Sequence, residues 1–227
     1  MASGAPAGSE YRQYIPVQLN SPGGFIAMYP WHEAMQLSVD ELRAMVDEFR
    51  SSGLTTQQIA DELSLSQTTI EWLSASDYEI ETKPSDVKVG WRSIAVKGER
   101  IEAVSFVFCD IIEEMVGDDV DTIVGVSING IAFSQAISAS MGLEMSVVRS
   151  ISEDVSGHLS QVYASVEGKR IVIIDDVYSS GTTMKKTSAN LKAAGADVKL
   201  CLVLVNKSWD DEIDGVPLRA LVRAATV

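Results

Sequence analysis

One stretch limits the folds open to this chain more than any other: residues 171–183, IVIIDDVYSSGTT. Ile171, Val172, Ile173 and Ile174 are all β-branched and apolar, the pattern of a buried strand. Asp175 and Asp176 follow at the strand's end. Ser179, Ser180, Gly181, Thr182 and Thr183 make a small hydroxyl-rich turn, and MKKTSANLKAAGA after it reads as a helix with Gly195 near its C-terminus. A strand, a tight turn and a helix bring free backbone N–H groups and the positive end of a helix dipole to one point. The Ser and Thr hydroxyls add neutral donors, so the turn suits a phosphate. The paired carboxylates upstream can accept hydrogen bonds from ribose hydroxyls, or reach Mg2+ through water. The ligand implied is a sugar phosphate with a free diol.

The rest of the chain has room for more than this one unit. At 227 residues it makes one large domain, or a medium domain with a small appendage. Hydrophobic content of 46% supports a sizeable core. A net charge of −14 argues against a non-specific polyanion binder, although a local basic patch remains compatible with it. Cys109 and Cys201 sit in apolar runs far apart, as buried thiols do in a reducing cytoplasm. No apolar run approaches the ~18 residues of a membrane span, so no membrane partner is expected.

Residues 1–34 show neither a period of 2 nor of 3.6, and carry scattered aromatics such as Tyr11, Phe25 and Trp31. They read as an irregular extension, with Met35 an alternative start. Residues 35–78 differ. Ser38 with Glu41, and Thr55 with Gln58, have the spacing of capping boxes. Leu42, Met45, Val46 and Phe49 follow helical spacing after the first; Ile59, Ala60 and Leu63 do so after the second. A third helix is expected over Gln67–Ser74. The run LTTQQIADELSLSQTTIEWL resembles a helix-turn-helix, with Ala60 at the close helix contact and Leu65 plugging the turn. In that motif the last helix enters the DNA major groove. Gln67, Thr68, Thr69 and Trp72 are then the DNA-contacting candidates, since Gln and Thr can read base edges. Residues 36–78 hold eight acids and only two bases, Arg43 and Arg50. Phosphate neutralisation usually supplies much of DNA affinity, so a bundle used only for packing or dimerisation also fits.

Residues 79–227 begin with a polar, Pro84-containing linker. A helix over about Glu99–Val116 follows, then a strand over Thr122–Val126 and a helix ending before Gly142. Between these lie Ser127, Ile128, Asn129 and Gly130, a second short loop at a strand end, where Gly130 permits close backbone approach. A strand over Glu144–Val148 ends in Arg149. HLSQVYASV alternates in the manner of a β-hairpin. Val198–Val205 makes another buried strand, with Lys207 just past the edge where α/β sheets bind ligands. Strands alternating with helices imply a mostly parallel sheet with helices on both faces.

The run from Ile171 to Thr183 resembles the 5-phosphoribosyl-1-pyrophosphate (PRPP) motif of type I phosphoribosyltransferases, with Tyr178 standing where an aliphatic residue is usual. The resemblance implies an α/β phosphoribosyltransferase-like fold preceded by a small all-α helix-turn-helix domain. It gives Asp175 and Asp176 the ribose, Ser179 to Thr183 the 5-phosphate, and Ser127 to Gly130 the pyrophosphate, with Mg2+ carried on the ligand. Arg149 and Lys207 are further ligand candidates. Resembling transferases close a catalytic loop bearing Lys and Arg near residues 152–160. This chain has Glu153, Asp154 and His158 there, which disfavours stabilising a departing polyanion, and no catalytic residue is assigned. WRSI (91–94), GHLSQVYASVEGKR (157–170) and DDVYSSGTT (175–183) resemble the archaeal GfcR regulators. That resemblance implies a regulator of sugar-catabolic genes, with promoter DNA and a phosphorylated sugar or nucleotide effector as partners. A cytoplasmic location is expected, and the half-site logic of a helix-turn-helix suggests a homodimer. An active orotate or other nucleobase phosphoribosyltransferase is the alternative.

Overall fold

The computed structural model describes residues 38–75, 86–126, 128–149 and 158–225. The extension at 1–34, most of the linker, Ser127 and the loop at 150–157 lie outside the described residues.

Three helices open the described chain: α1 (Val39–Ser51), α2 (Thr56–Leu63) and α3 (Gln67–Ser74). Both expected capping boxes form. Ser38 and Thr55 accept from the N3 amides, while Glu41 and Gln58 reach back to the cap amides. Such a cap is worth about 1 kcal/mol, which matters for helices this short. Val46, Ile59, Ala60, Leu63, Leu65, Ile70 and Leu73 close one small core. Ser64, in the left-handed region at φ 52°, turns the chain between α2 and α3. The result is a small all-helical domain.

After α4 (Arg92–Ala95), which the pattern does not announce, comes α5 (Gly98–Met115). The remaining elements are β1 (Thr122–Val126), α6 (Asn129–Met141), β2 (Glu144–Arg149), β3 (His158–Leu159), β4 (Arg170–Tyr178), α7 (Thr182–Ala193), β5 (Asp197–Asn206), β6 (Glu212–Ile213) and β7 (Val216–Arg223). They form a seven-stranded sheet in the order β3-β2-β1-β4-β5-β7-β6. β1, β2, β4, β5 and β7 run parallel, while β3 and β6 are antiparallel edges. Alternation splits the core in two. Val172, Ile174, Leu200 and Leu202 face α5 and α6 through Phe108, Ile112, Phe133 and Ile137. Ile171, Ile173, Cys201 and Val203 face α7 through Met184 and Leu191. Cys109 and Cys201 are free and buried.

Three expectations need correcting. β4 does not stop at Ile174. Its ladder with β5 continues through Asp175↔Val203 to Tyr178↔Asn206, so both acids lie inside the strand. α7 begins at Thr182, so two of the turn's hydroxyls stand on the first helical turn. HLSQVYASV is no hairpin. Only His158–Leu159 pairs, because Val162 and Tyr163 point into solvent rather than onto a sheet.

The chain order reverses between β1 and β4. From β1 the sheet grows to β2 on one side; β4 then returns to the other side of β1 and growth proceeds to β5. The helices leaving β1 and β4 lie on opposite faces, so a crevice opens at the C-terminal ends of these two strands, where open α/β sheets take their ligands.

Candidate functional site

The crevice is built from the β4–α7 turn and the start of α6. Gly181 caps α7 at φ +75° and has no side chain to bond the first turn; the Thr182 amide makes one long bond, 3.4 Å, to Ser180 Oγ. Such a lightly used first turn suits an anion. Ser180 Oγ and Thr182 Oγ1 lie 3.0 Å apart on the turn's outer rim. Tyr178 forms the floor beneath. Its ring is buried, its hydroxyl donates to Asp210 Oδ2 at 2.8 Å, and a Cβ on Gly181 would lie 2.3 Å from its oxygen. The large residue at 178 and the glycine at 181 are thus one packing solution.

α6 approaches just as closely. A Cβ on Gly130 would stand 2.3 Å from the Ile174 carbonyl oxygen, so α6 starts hard against β4. That contact carries Asn129 Nδ2 to 3.0 Å from Asp176 Oδ2. The same oxygen accepts from Trp91 Nε1 at 2.8 Å, across 85 residues of sequence. Trp91 is held in turn by Phe133, ring centres 5.4 Å apart. Sequence reasoning assigned Trp91 no role in the site; a largely apolar ring whose N–H needs an acceptor was the available signal. Ile128, at the mouth, is exposed. Arg149 ends β2 on the same edge and is exposed.

Asp176 is buried and Asp175 half-buried. Burial drives the Asp175 carboxyl well above the usual carboxylate range, with the Asp176 charge adding to it. Burial also raises Asp176, against hydrogen bonds from its neighbours that favour the ionised form. Such a pair shares protons and can both accept from and donate to sugar hydroxyls. Asp176 Oδ2 is occupied by two N–H donors, and Asp175 Oδ1 accepts the Asp176 amide at 2.9 Å, so Asp175 Oδ2 is the oxygen most open to a ligand. Among the described residues no cluster of three or more metal-ligating side chains exists. Two such acids fit Mg2+ held on a ligand or through water rather than in a protein cage.

The opposite wall comes from the helical domain. Gln57, Ala60, Asp61, Ser64, Leu65, Ser66 and Gln67 line the same cavity as residues 175–184. Gln57 Oε1 accepts from Thr183 Oγ1 at 3.3 Å and from Gln67 Nε2, while Gln57 Nε2 donates to Asp61 Oδ1 at 2.7 Å. Burial lifts Asp61 to about 7, with Asp176 adding its charge and Gln57 pulling the other way.

Two sets of sequence candidates end elsewhere than expected. Lys207 is not free for a ligand: its Nζ lies 3.0 Å from Asp86 Oδ1 and donates to the Ser64 carbonyl at 2.9 Å, both side chains buried. Thr69 is buried, and its hydroxyl donates to Asp86 Oδ2, so it is withdrawn from the outer face of α3. Trp72 is half-buried against the helical core with the Arg43 guanidinium 5.2 Å above its ring. Gln67 is half-buried in the cavity wall, and Thr68 is exposed.

The phosphoribosyl transferase domain family matches residues 90–221. Among solved structures, the chain resembles adenine phosphoribosyltransferase from Thermoanaerobacter pseudethanolicus, with TM-score 0.52 at 17% identity over 64% of this chain and 92% of that one. It also resembles Mycobacterium tuberculosis orotate phosphoribosyltransferase in complex with inorganic phosphate, with TM-score 0.51 at 15% identity over 60% and 77%. At such identities the fold alone is shared. The sequence relatives reach further. The transcriptional regulator GfcR of Thermoplasma acidophilum is 38% identical over 193 residues, 84% of this chain and 98% of the relative. GfcR of Methanocaldococcus jannaschii is 34% identical over 201 residues, 82% and 94%. Matches of this length cannot fit within 90–221 and must take in the helical domain as well. The chain belongs to the GfcR family of archaeal transcriptional regulators. GfcR architecture thus joins a phosphoribosyltransferase-type sheet to a three-helix domain, and here the two cluster as one compact unit. No helix among the described residues is long and apolar enough to cross a membrane.

Proposed function

We propose that this GfcR-family chain is a metabolite-responsive regulator of sugar-catabolic genes. It takes a phosphoribosyl or sugar-phosphate effector, with Mg2+ on the ligand, in the crevice between β1 and β4. It reads promoter DNA as a homodimer through α3. The observation that carries this reading is the glycine-started α7 beside one buried and one half-buried acid at the switch point of the sheet. The amides and hydroxyls of residues 179–183 take the 5-phosphate; Asp175 and Asp176 take the ribose hydroxyls. A further phosphate would be taken by Arg149 and by the loop at 127–130, of which Ser127 lies outside the described residues. Thr68 and Gln67 are the base-reading candidates that remain on α3.

Calorimetry with PRPP and with ribose 5-phosphate, in the presence of Mg2+, tests the site. Asp175→Asn together with Asp176→Asn should abolish the heat, and an unchanged affinity would remove the site from consideration. A turnover assay with PRPP and nucleobases separates regulator from transferase, since robust pyrophosphate release would establish the enzyme instead. Gel shifts against the protein's own upstream DNA at several salt concentrations test the DNA reading. Thr68→Ala should weaken that binding and leave the calorimetry unchanged.

A further inference from the structure

We propose that the helical domain is the gate of the metabolite site. Seated as it is here, it covers the phosphate turn and holds Gln67, the first residue of its own recognition helix, inward; a bound effector displaces it and frees that helix for DNA. This rests on the reading of the crevice as a phosphoribosyl site, and adds how occupancy is relayed.

The relay passes through one side chain. Gln57 Oε1 is bonded both to Thr183, on the phosphate turn, and to Gln67, the first residue of α3. The N-terminal residues of a recognition helix are those that contact base edges. Here Gln67 contributes to the cavity wall instead. The metabolite turn and the DNA-reading turn are therefore two hydrogen bonds apart.

Contact and charge set effector and seated domain against one another. Gln57 already engages the Thr183 hydroxyl of the phosphate turn, and Gln57, Asp61 and Gln67 line the cavity the effector would enter. Asp61 also enters the cavity from α2, where the Asp176 charge already acts on it. A polyanionic ligand brings more negative charge to a half-desolvated carboxylate, which raises the cost of keeping α2 in place. Lys207 and Asp86 hold the α2–α3 turn itself, through the Ser64 carbonyl and the Ser66 amide. A swing about this clamp parts Gln57 from Thr183 without breaking the ion pair.

Hydrogen exchange on the full chain, with and without PRPP and Mg2+, tests the gate in wild type and Gln57→Ala. PRPP should protect residues 179–184 and speed exchange over 57–67. Gln57→Ala removes the bond to Thr183 across the gate, along with those to Gln67 and Asp61 within the helical domain. It should bind PRPP about three- to tenfold more tightly, and should bind DNA more tightly without PRPP. Protection of 179–184 by PRPP in the variant alone also supports the gate, as a lid too tight to open in wild type. Joint protection of both segments, or weaker PRPP binding by Gln57→Ala, makes the helical domain part of the bound state and overturns the gate while leaving the metabolite site standing. No protection of 179–184 in either protein refutes the metabolite site itself.

Discussion

Lys207 Nζ and Asp86 Oδ1 meet 3.0 Å apart, with side chains only 4% and 7% exposed. The pair stands where the end of β5, the chain entering the sheet domain, and the α2–α3 turn converge. The pair also binds its surroundings. Lys207 also serves the Ser64 carbonyl, and Asp86 Oδ2 accepts the Ser66 amide and the Thr69 hydroxyl. A buried pair contributes little net stability when compared with apolar residues, but removing one partner strands the other.

Lys207→Met should therefore destabilise the protein by about 3–5 kcal/mol, read as a lowered urea midpoint. Burial pushes the Asp86 carboxyl up, but the Ser66 amide, the Lys207 charge and the Thr69 hydroxyl outweigh it and hold it below its ordinary value of 3.8. A carboxyl depressed in the folded state contributes stability that is complete above about pH 4 and is lost as pH falls through its folded value. Wild type should lose this contribution on acidification below pH 4. Asp86→Asn should start less stable and show a shallower acid limb. An equally steep limb in the variant would place the acid sensitivity elsewhere.

Gly181→Ala combines two faults at one atom: a backbone at φ +75° and a methyl driven into the Tyr178 ring. The expected loss is about 1–3 kcal/mol of stability, with effector affinity falling at least tenfold because the turn moves. Tyr178→Phe removes the oxygen nearest the new methyl, so the double variant should recover part of the thermal midpoint. A thermal scan of the four proteins checks this; strict additivity would mean that the two residues do not share the space.

The local grammar of this chain was legible and its long-range chemistry was not. The Ser38/Glu41 and Thr55/Gln58 boxes and the bounds of β1 follow from spacings of a few residues. Ala60 and Leu65 fall in the helical core as their positions in the motif suggest. Trp91 and Lys207 were misjudged because their partners lie 85 and 121 residues away, and no pattern along the chain encodes such a meeting. Thr69 looked available because it stands near the N-terminus of α3, where the motif puts its base-reading residues, whereas Asp86 comes back from beyond the linker to claim it. The acids were placed one step too late for a related reason: two carboxylates read as a strand end, but the ladder to β5 carries β4 past them.

Trp91→Phe keeps the packing against Phe133 and deletes one donor to Asp176 Oδ2. The lost bond favoured the ionised carboxyl, so the Asp176 carboxyl should rise further above its ordinary value. Effector binding should weaken by about 1.5–3 kcal/mol, the range for hydrogen bonds to charged groups, and the deficit should shrink as pH rises and Asp176 ionises regardless. Calorimetry from pH 6 to pH 9 reads this directly; a deficit independent of pH would mean that Trp91 acts through shape alone.

Asp61 should make the seating of the helical domain pH-dependent. Seated, it faces Asp176 across the cavity, with Asp175 beside it, Glu62 next to it on α2 and the Gln57 amide donating to it, and burial lifts it to about 7. Unseated, it returns towards 3.8. The seated state thus holds a proton that the unseated state has released. Its disadvantage grows from about pH 4 to about pH 7 and is complete above that. Amide exchange over 57–67 should accelerate between about pH 4 and pH 7 beyond the intrinsic base-catalysed rise, and follow only that rise above pH 7. Asp61→Asn stays neutral and keeps its hydrogen-bonding oxygen, so it should lose that extra acceleration, hold the domain seated at pH 8, and bind effector more weakly there than wild type. Equal acceleration in wild type and variant would show that the Asp61 proton does not govern the seat.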